Sequence, residues 1–281
     1  MYKSLYEKEY FSGRDSDQKR KIMYQQEYMR IMETCGFSKG KVLDIGCGTG
    51  DFLSLFPDNE WTKFGIEISD HAKQIAETKN VSFKIPDNKN TFELIVMRGS
   101  LQHLDRPMDT LFKSLDWLKP NGWLCILATP NTGSLVYRLF QDLQPLDPKR
   151  NFVLFSGKTL RQTLLNIGFS NVNTVYPYSD TPYASIFKDH VKFILRCLGI
   201  KTNFFHPTIN NIIVVINILT EPNCIGDKPI KPFLIKIYEL PQIIESIMRY
   251  THFFNLNSIA MQKCTFLLKL YLLKYDNYNI Y

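Results

Sequence analysis

The 281-residue sequence predicts an α/β fold, a mostly parallel sheet with helices on its faces. Between residues 41 and 129, strand-length apolar runs alternate with helical stretches, the pattern of βαβ units. A glycine-rich turn, Gly46-Cys47-Gly48-Thr49-Gly50, stands where the first of those runs ends. An acidic residue, Glu67, closes the second run.

The elements follow in order. Residues 16–35 read as a helix capped by Asp15 or Ser16, with Ile22, Met29 and Met32 near one face. Gly36 and Gly40 then lead into a first strand, Lys41–Ile45. KFGIEI (63–68) is a second strand, followed by a helix over Asp70–Lys79. VSFKI (81–85) is a third and FELIVM (92–97) a fourth. A helix from Pro107 to Leu118 and a turn at Lys119–Gly122 precede a fifth strand, WLCILAT (123–129). Further on come a helix over Lys158–Ile167, a strand at 171–177 and a β-branched run at Asn211–Leu219. The pattern is that of a Rossmann-like core. Its predicted organisation is an N-terminal lid and helix (1–35), a core (36–222) carrying a helical insertion (178–210), and a helical C-terminal extension (223–281).

Composition narrows the function classes. With 44% hydrophobic and 14% aromatic residues the chain can bury a substantial core. The net charge of +7 is spread along the chain without a basic stripe, which argues against nucleic acid and leaves an anionic small molecule or transient contact with an anionic membrane surface open. The six cysteines form no C-x-x-C pair and no zinc-ligand spacing, so no metal is expected and the thiols read as reduced in a cytoplasmic protein. No segment supplies the ~20 apolar residues of a membrane span. Homo-oligomerisation is left open.

Glycines at a strand-to-helix turn let backbone approach a ligand closely, and a following helix would present free N–H groups to it. The dinucleotide fingerprint G-x-G-x-x-G needs a third glycine three places after the second. Counted from Gly48, that place is Asp51. The run is instead Asp44-Ile45-Gly46-Cys47-Gly48-Thr49-Gly50, with a carboxylate ahead of the glycines. Glu67, 21 residues after Gly46, can accept hydrogen bonds from two ribose hydroxyls.

This loop and acid resemble the class I S-adenosylmethionine-dependent methyltransferases. The similarity covers about residues 35–220, most strongly 41–131, including the FELIVMRGSLQHLDRPMDTLFKSLDWLKPNGWLCILATPN stretch. It implies S-adenosylmethionine as cofactor, with the methionine portion on Asp44, Gly46, Cys47, Gly48 and Gly50 and the ribose on Glu67, next to Ile68. It further implies an adenine contact at Asp87, although the Pro86–Thr91 link is short and a solvated turn aspartate is an equal reading. Arg98, Gly99 and Ser100, after the fourth strand, are candidates for the cofactor carboxylate or the substrate. Tyr10 is a candidate aromatic contact from an N-terminal lid.

A sulfonium is already an activated methyl donor, so a base is needed only for a protonated acceptor. His103 is the catalytic candidate, and holding the loop by a backbone hydrogen bond is the alternative role. His71, His190, His206 and His252 show no partner pattern. The insertion helix has Ile186, Phe187, Phe193, Ile194 and Leu198 as core-facing candidates, with Lys188, Lys192 and Arg196 along one side. Tyr137, Arg138, Lys149 and Arg150 are a second possible acceptor wall. The T-P-N after the fifth strand resembles a small-molecule branch active in surface-polysaccharide pathways. That implies O-methylation of a sugar or a phosphorylated, nucleotide-linked glycan precursor. A quinone or lipid-like acceptor is the rival enzyme reading, and a non-catalytic cofactor-binding partner subunit the rival outside enzymes.

Overall fold

A computed structural model of the protein describes residues 8–11, 17–140, 149–176, 181–197, 200, 202 and 211–217. The chain divides into two compact units, residues 1–185 with 204–224, and residues 186–203 with 225–281. The predicted extension at 223–281 lies outside the described residues.

The first unit is built on a seven-stranded sheet in the order β3-β2-β1-β4-β5-β7-β6. Strands β1 (Gly40–Ile45), β2 (Trp61–Ile66), β3 (Val81–Ser82), β4 (Phe92–Arg98) and β5 (Leu118–Pro130) are parallel. Strand β7 (Asn211–Asn217) runs antiparallel between β5 and β6 (Ser170–Val175). The central strands are mostly apolar because both sheet faces are covered. Leu43, Ile95, Met97, Leu124 and Ile126 face one core with Leu111 and Leu160. Their sequence neighbours Val42, Leu94, Val96, Trp123, Cys125 and Leu127 face the other with Ile31, Phe56 and Ala76.

Helices α1 (Lys8–Phe11) and α2 (Gln18–Cys35) precede the sheet. The cap of α2 is Asp17 rather than Asp15 or Ser16; its carboxylate accepts from the Lys19 and Arg20 amides. The buried face of α2 also differs from the apolar pattern. Met23, Glu27 and Ile31 are buried, while Ile22 and Met29 are exposed, because a buried arginine recruits Glu27 and sets the helix rotation. Helices α3 (Asp70–Glu77), α4 (Pro107–Trp117), α5 (Leu135–Phe140) and α6 (Gly157–Ile167) follow. Strand β3 is two residues long where five were expected, since only Val81 and Ser82 pair with β2. The turn expected at Lys119–Gly122 is a bulge inside β5, with Phe92 opposite Leu118 and Leu94 already opposite Trp123.

In the second unit α7 (Ile186–Cys197) stands in the predicted insertion. Phe187, expected to face a core, is 75% exposed, whereas Phe193 and Ile194 are half-buried. Two of the three basic side chains are engaged within the unit: Lys192 with Asp189, and Arg196 with Thr202.

Candidate functional site

Chain order reverses between β1 and β4, and ligands of open α/β sheets bind beyond the carboxyl ends of strands at such a point. There a cleft of about 560 Å³ opens. Its walls are the loop after β1, the end of β2, the segment after β4, and side chains of α1 and α2.

The loop is made by glycines that nothing else could replace. Gly46 has φ +85°, and a Cβ there would lie 2.5 Å from that of Ser100. Gly50, at φ +76°, would press a Cβ within 3.0 Å of Ala76 in α3. The amides of Gly46 and Cys47 donate to Ile66 O, that of Gly48 to Glu67 Oε2 at 2.9 Å, and that of Gly50 to Cys47 O. Lys79 clamps the far side, donating to Thr49 O at 2.8 Å and pairing with Asp51. The helix expected after the loop is missing: among the described residues, the 46–60 connection holds one 3-10 turn, Leu53–Leu55.

Glu67 is a hub rather than a free carboxylate. Besides Gly48, it accepts from the Ile68 and Ser69 amides at 2.8 and 2.9 Å, through Oε1. One lone pair of Oε2 is left for a ligand. Asp44 is 2% exposed at the base of the cleft, and its Oδ1 has no hydrogen-bond partner. Burial pushes its carboxyl up to about 7; Arg98 pulls it back and Glu67 adds to the rise. Cys47 is no nucleophile: burial above all, then Asp44 and Glu67, hold its thiol far above the ordinary range. Because folding raises the Asp44 carboxyl, the folded state binds the proton more tightly. The stability it contributes is present below about pH 4 and lost as pH rises through about 7. An Asp44→Asn variant is therefore expected to melt higher than the parent at pH 8, with a smaller difference at pH 5. Parallel melts at the two values check this.

At the end of β4, Arg98 points back to α2. Its Nε donates to Glu27 Oε2 at 2.5 Å, and its guanidinium lies 4.2 Å from the Tyr24 ring centroid. Burial opposes its charge most strongly, but Glu27, Tyr24 and Asp44 together outweigh it and hold Arg98 above its usual range. Arg98, read from sequence as a contact for the cofactor carboxylate or the substrate, is held in a buried ion pair. Gly99 has φ +64°, and Ser100 is 7% exposed with an unpartnered Oγ. His103 sits on the cleft wall with Nδ1 2.9 Å from Arg150 O. A carbonyl only accepts, so Nδ1 carries the proton and Nε2 of the neutral ring carries the lone pair. Gln102 Nε2 lies 3.4 Å from that Nε2 and donates to Gly99 O.

Of the residues expected from sequence, the cleft gathers Tyr10, Asp44, Gly46, Cys47, Gly48, Glu67, Ile68, Arg98, Gly99, Ser100 and His103. Gly50 stands behind the loop against α3. Asp87 does not join them; it is exposed in the link after the two-residue β3. Sequence reading missed Glu27, Arg20, Tyr24 and Phe11. Phe11 is 8% exposed, its ring 3.4 Å from the position of a Gly48 Cβ and edge-on to Tyr10. The Tyr10-Phe11 doublet was its one visible signal.

A family model described as a methyltransferase domain matches residues 16–174, more than half of the chain. The chain belongs to the class I S-adenosylmethionine-dependent methyltransferases. It is similar to a malonyl-[acyl-carrier protein] O-methyltransferase of Halalkalibacterium halodurans, 31% identical over 147 residues, 44% of this chain and 53% of that protein. A phosphoethanolamine N-methyltransferase 1 of Triticum aestivum is 29% identical over 151 residues, 47% of this chain and 28% of that one. Among solved structures, a SAM dependent methyltransferase from Archaeoglobus fulgidus is 21% identical with a TM-score of 0.46, covering 69% of this chain and 94% of that one. The chain spans about half the length, or less, of both curated relatives.

The cofactor of this methyltransferase family is S-adenosylmethionine, and the cleft fits it. Two buried polar atoms, Asp44 Oδ1 and Ser100 Oγ, are without protein partners, and the Gly46 approach to Ser100 leaves backbone where a Cβ would intrude. Among the described residues no group of three or more His, Cys, Asp or Glu side chains is placed to hold a metal, and no helix is long and apolar enough to cross a membrane.

Proposed function

We propose that the protein transfers the methyl group of S-adenosylmethionine to an oxygen of a small anionic acceptor, of the class of a sugar or a phosphorylated, nucleotide-linked glycan precursor. The observation that carries the reading is the His103 tautomer: Nδ1–H donates to Arg150 O, so the Nε2 lone pair, 3.4 Å from Gln102 Nε2, stands on a wall of the cleft. An anionic acceptor is supported by the two relatives, named for malonyl and phosphoethanolamine substrates, each with a negative group.

The cofactor supplies an electrophilic methyl carbon when bound. Glu67 and the Gly46–Gly50 loop would hold it, with Asp44 and Ser100 beneath. Tyr10 and Phe11 shield the loop from water. His103 Nε2 accepts the proton of the acceptor hydroxyl, and the bond from Nδ1–H to Arg150 O steadies the resulting imidazolium.

His103→Ala is expected to lower kcat with the true acceptor by about 10²–10⁴-fold while S-adenosylhomocysteine affinity stays level. The check is a labelled-cofactor assay over sugars, sugar nucleotides, quinones and envelope extracts, paired with calorimetry. Full turnover by the variant would remove the base role. Turnover on quinones alone would favour the lipid-like acceptor, and none on any acceptor the non-catalytic subunit.

A further inference from the structure

We propose that Arg20 is the residue that recognises the acceptor's negative group, so that the acceptor presents a carboxylate or phosphate to the first turn of α2. This deepens the methyl-transfer reading and rests on it.

Two guanidinium groups line the cleft, Arg20 and Arg98. Arg98 is committed, with Glu27 on its Nε and Nη2 and the Tyr24 ring against its face. Arg20 is not. Its Nη1 donates to Tyr24 Oη at a long 3.4 Å, and its Nε is buried without a hydrogen-bond partner. Native structures seldom leave a buried donor unmatched unless something else takes it.

The nearest carboxylate is not the missing partner. Asp17 Oδ1 accepts the backbone amides of Lys19 and Arg20 at 3.0 and 3.3 Å, and Oδ2 accepts Tyr183 Oη at 3.0 Å. Both oxygens are engaged, and Asp17 forms no side-chain ion pair with Arg20 among the described residues. Its charge nonetheless lies close enough to keep a half-buried cation acceptable.

The fork is also aimed. Tyr24 is pinned by Arg98 on its face and by Phe52 edge-on at 5.7 Å, so the hydroxyl beside Arg20 Nη1 has a fixed place. The capped helix fixes the backbone beneath. A planar guanidinium with parallel N–H groups to offer matches the paired oxygens of a carboxylate or phosphate. Elsewhere the cleft wall carries the carboxylates of Glu67 and Asp105, with Asp51 already paired to Lys79.

The test uses the full chain saturated with S-adenosylhomocysteine, into which malonate and inorganic phosphate are titrated calorimetrically. At least one is expected to bind the parent. Binding should fall by about tenfold or more in Arg20→Met and return in part in Arg20→Lys, which restores the charge without the fork. S-adenosylhomocysteine affinity should stay within about twofold in both variants. Anion binding that is absent from the parent, or unchanged in Arg20→Met, overturns the proposal. So does a tenfold loss of S-adenosylhomocysteine affinity in Arg20→Met, which would give Arg20 to the cofactor's own carboxylate. If the parent fails to bind S-adenosylhomocysteine at all, the methyl-transfer reading fails first and this proposal with it.

Discussion

A Glu27→Ala variant is expected to lose about 3–5 kcal/mol of folding stability, a large share of what a domain has. Glu27 is 6% exposed and the Arg98 side chain 13%, and their contact is a charge-assisted bond at 2.5 Å. Removing the carboxylate leaves a guanidinium that cannot lose its proton, held between the Tyr24 ring and the base of the cleft. Truncation also opens a void beside Met23 and Ile31. Glu27→Gln keeps the shape and one acceptor oxygen, so its loss should be smaller. Removing both charges, Glu27→Met with Arg98→Met, should recover much of the deficit, because the uncompensated charge is the main cost. Denaturant titration of the set decides it. A single-variant loss under about 1 kcal/mol would mean the pair is no better than a surface bridge.

Glu67→Ala is expected to weaken S-adenosylhomocysteine binding by at least about 100-fold. Two effects combine. The carboxylate gathers the Gly48, Ile68 and Ser69 amides, so its loss frees three donors and detaches the loop after β1 from the end of β2. It also removes the lone pair left for a ligand. Hydrogen bonds to a charged group contribute about 1.5–3 kcal/mol each, and two of that size already account for the expected factor. Glu67→Gln should fall between, since its amide NH₂ would meet backbone N–H groups where an oxygen now accepts. Calorimetry gives the result directly. Binding by Glu67→Ala within about threefold of the parent would remove the residue from the cofactor site.

The strands were legible because burial on both faces writes them as mostly apolar runs, as in Val42–Ile45 with its single Asp44 and Phe92–Met97 with its single Glu93. The glycine loop and Glu67 were legible because backbone geometry admits few alternatives there. Glu27 was not. A pattern that counts apolar residues sends a glutamate to solvent, and its partner lies 71 residues away. The contact of His103 with Arg150 O, 47 residues apart, was hidden for the same reason, although the histidine itself stood out. The helix expected after Gly50 is a 3-10 turn instead, where Pro57 follows closely and the Gly50 amide bonds within the loop.

That missing helix has a bearing on which cofactor the cleft admits. A loop backed by a helix N-terminus draws anions through its unpaired amides and dipole. Here the amides of Gly46, Cys47, Gly48 and Gly50 are already taken within the protein, and Asp44, Asp51 and Glu67 stand around them. Asp51 is matched by Lys79 and the Asp44 carboxyl ionises only near pH 7, so Glu67 sets the charge. Pyrophosphate would meet that charge with few donors to offset it, whereas a sulfonium would meet its complement. The loop therefore sorts nucleoside cofactors by electrical sign as well as by shape.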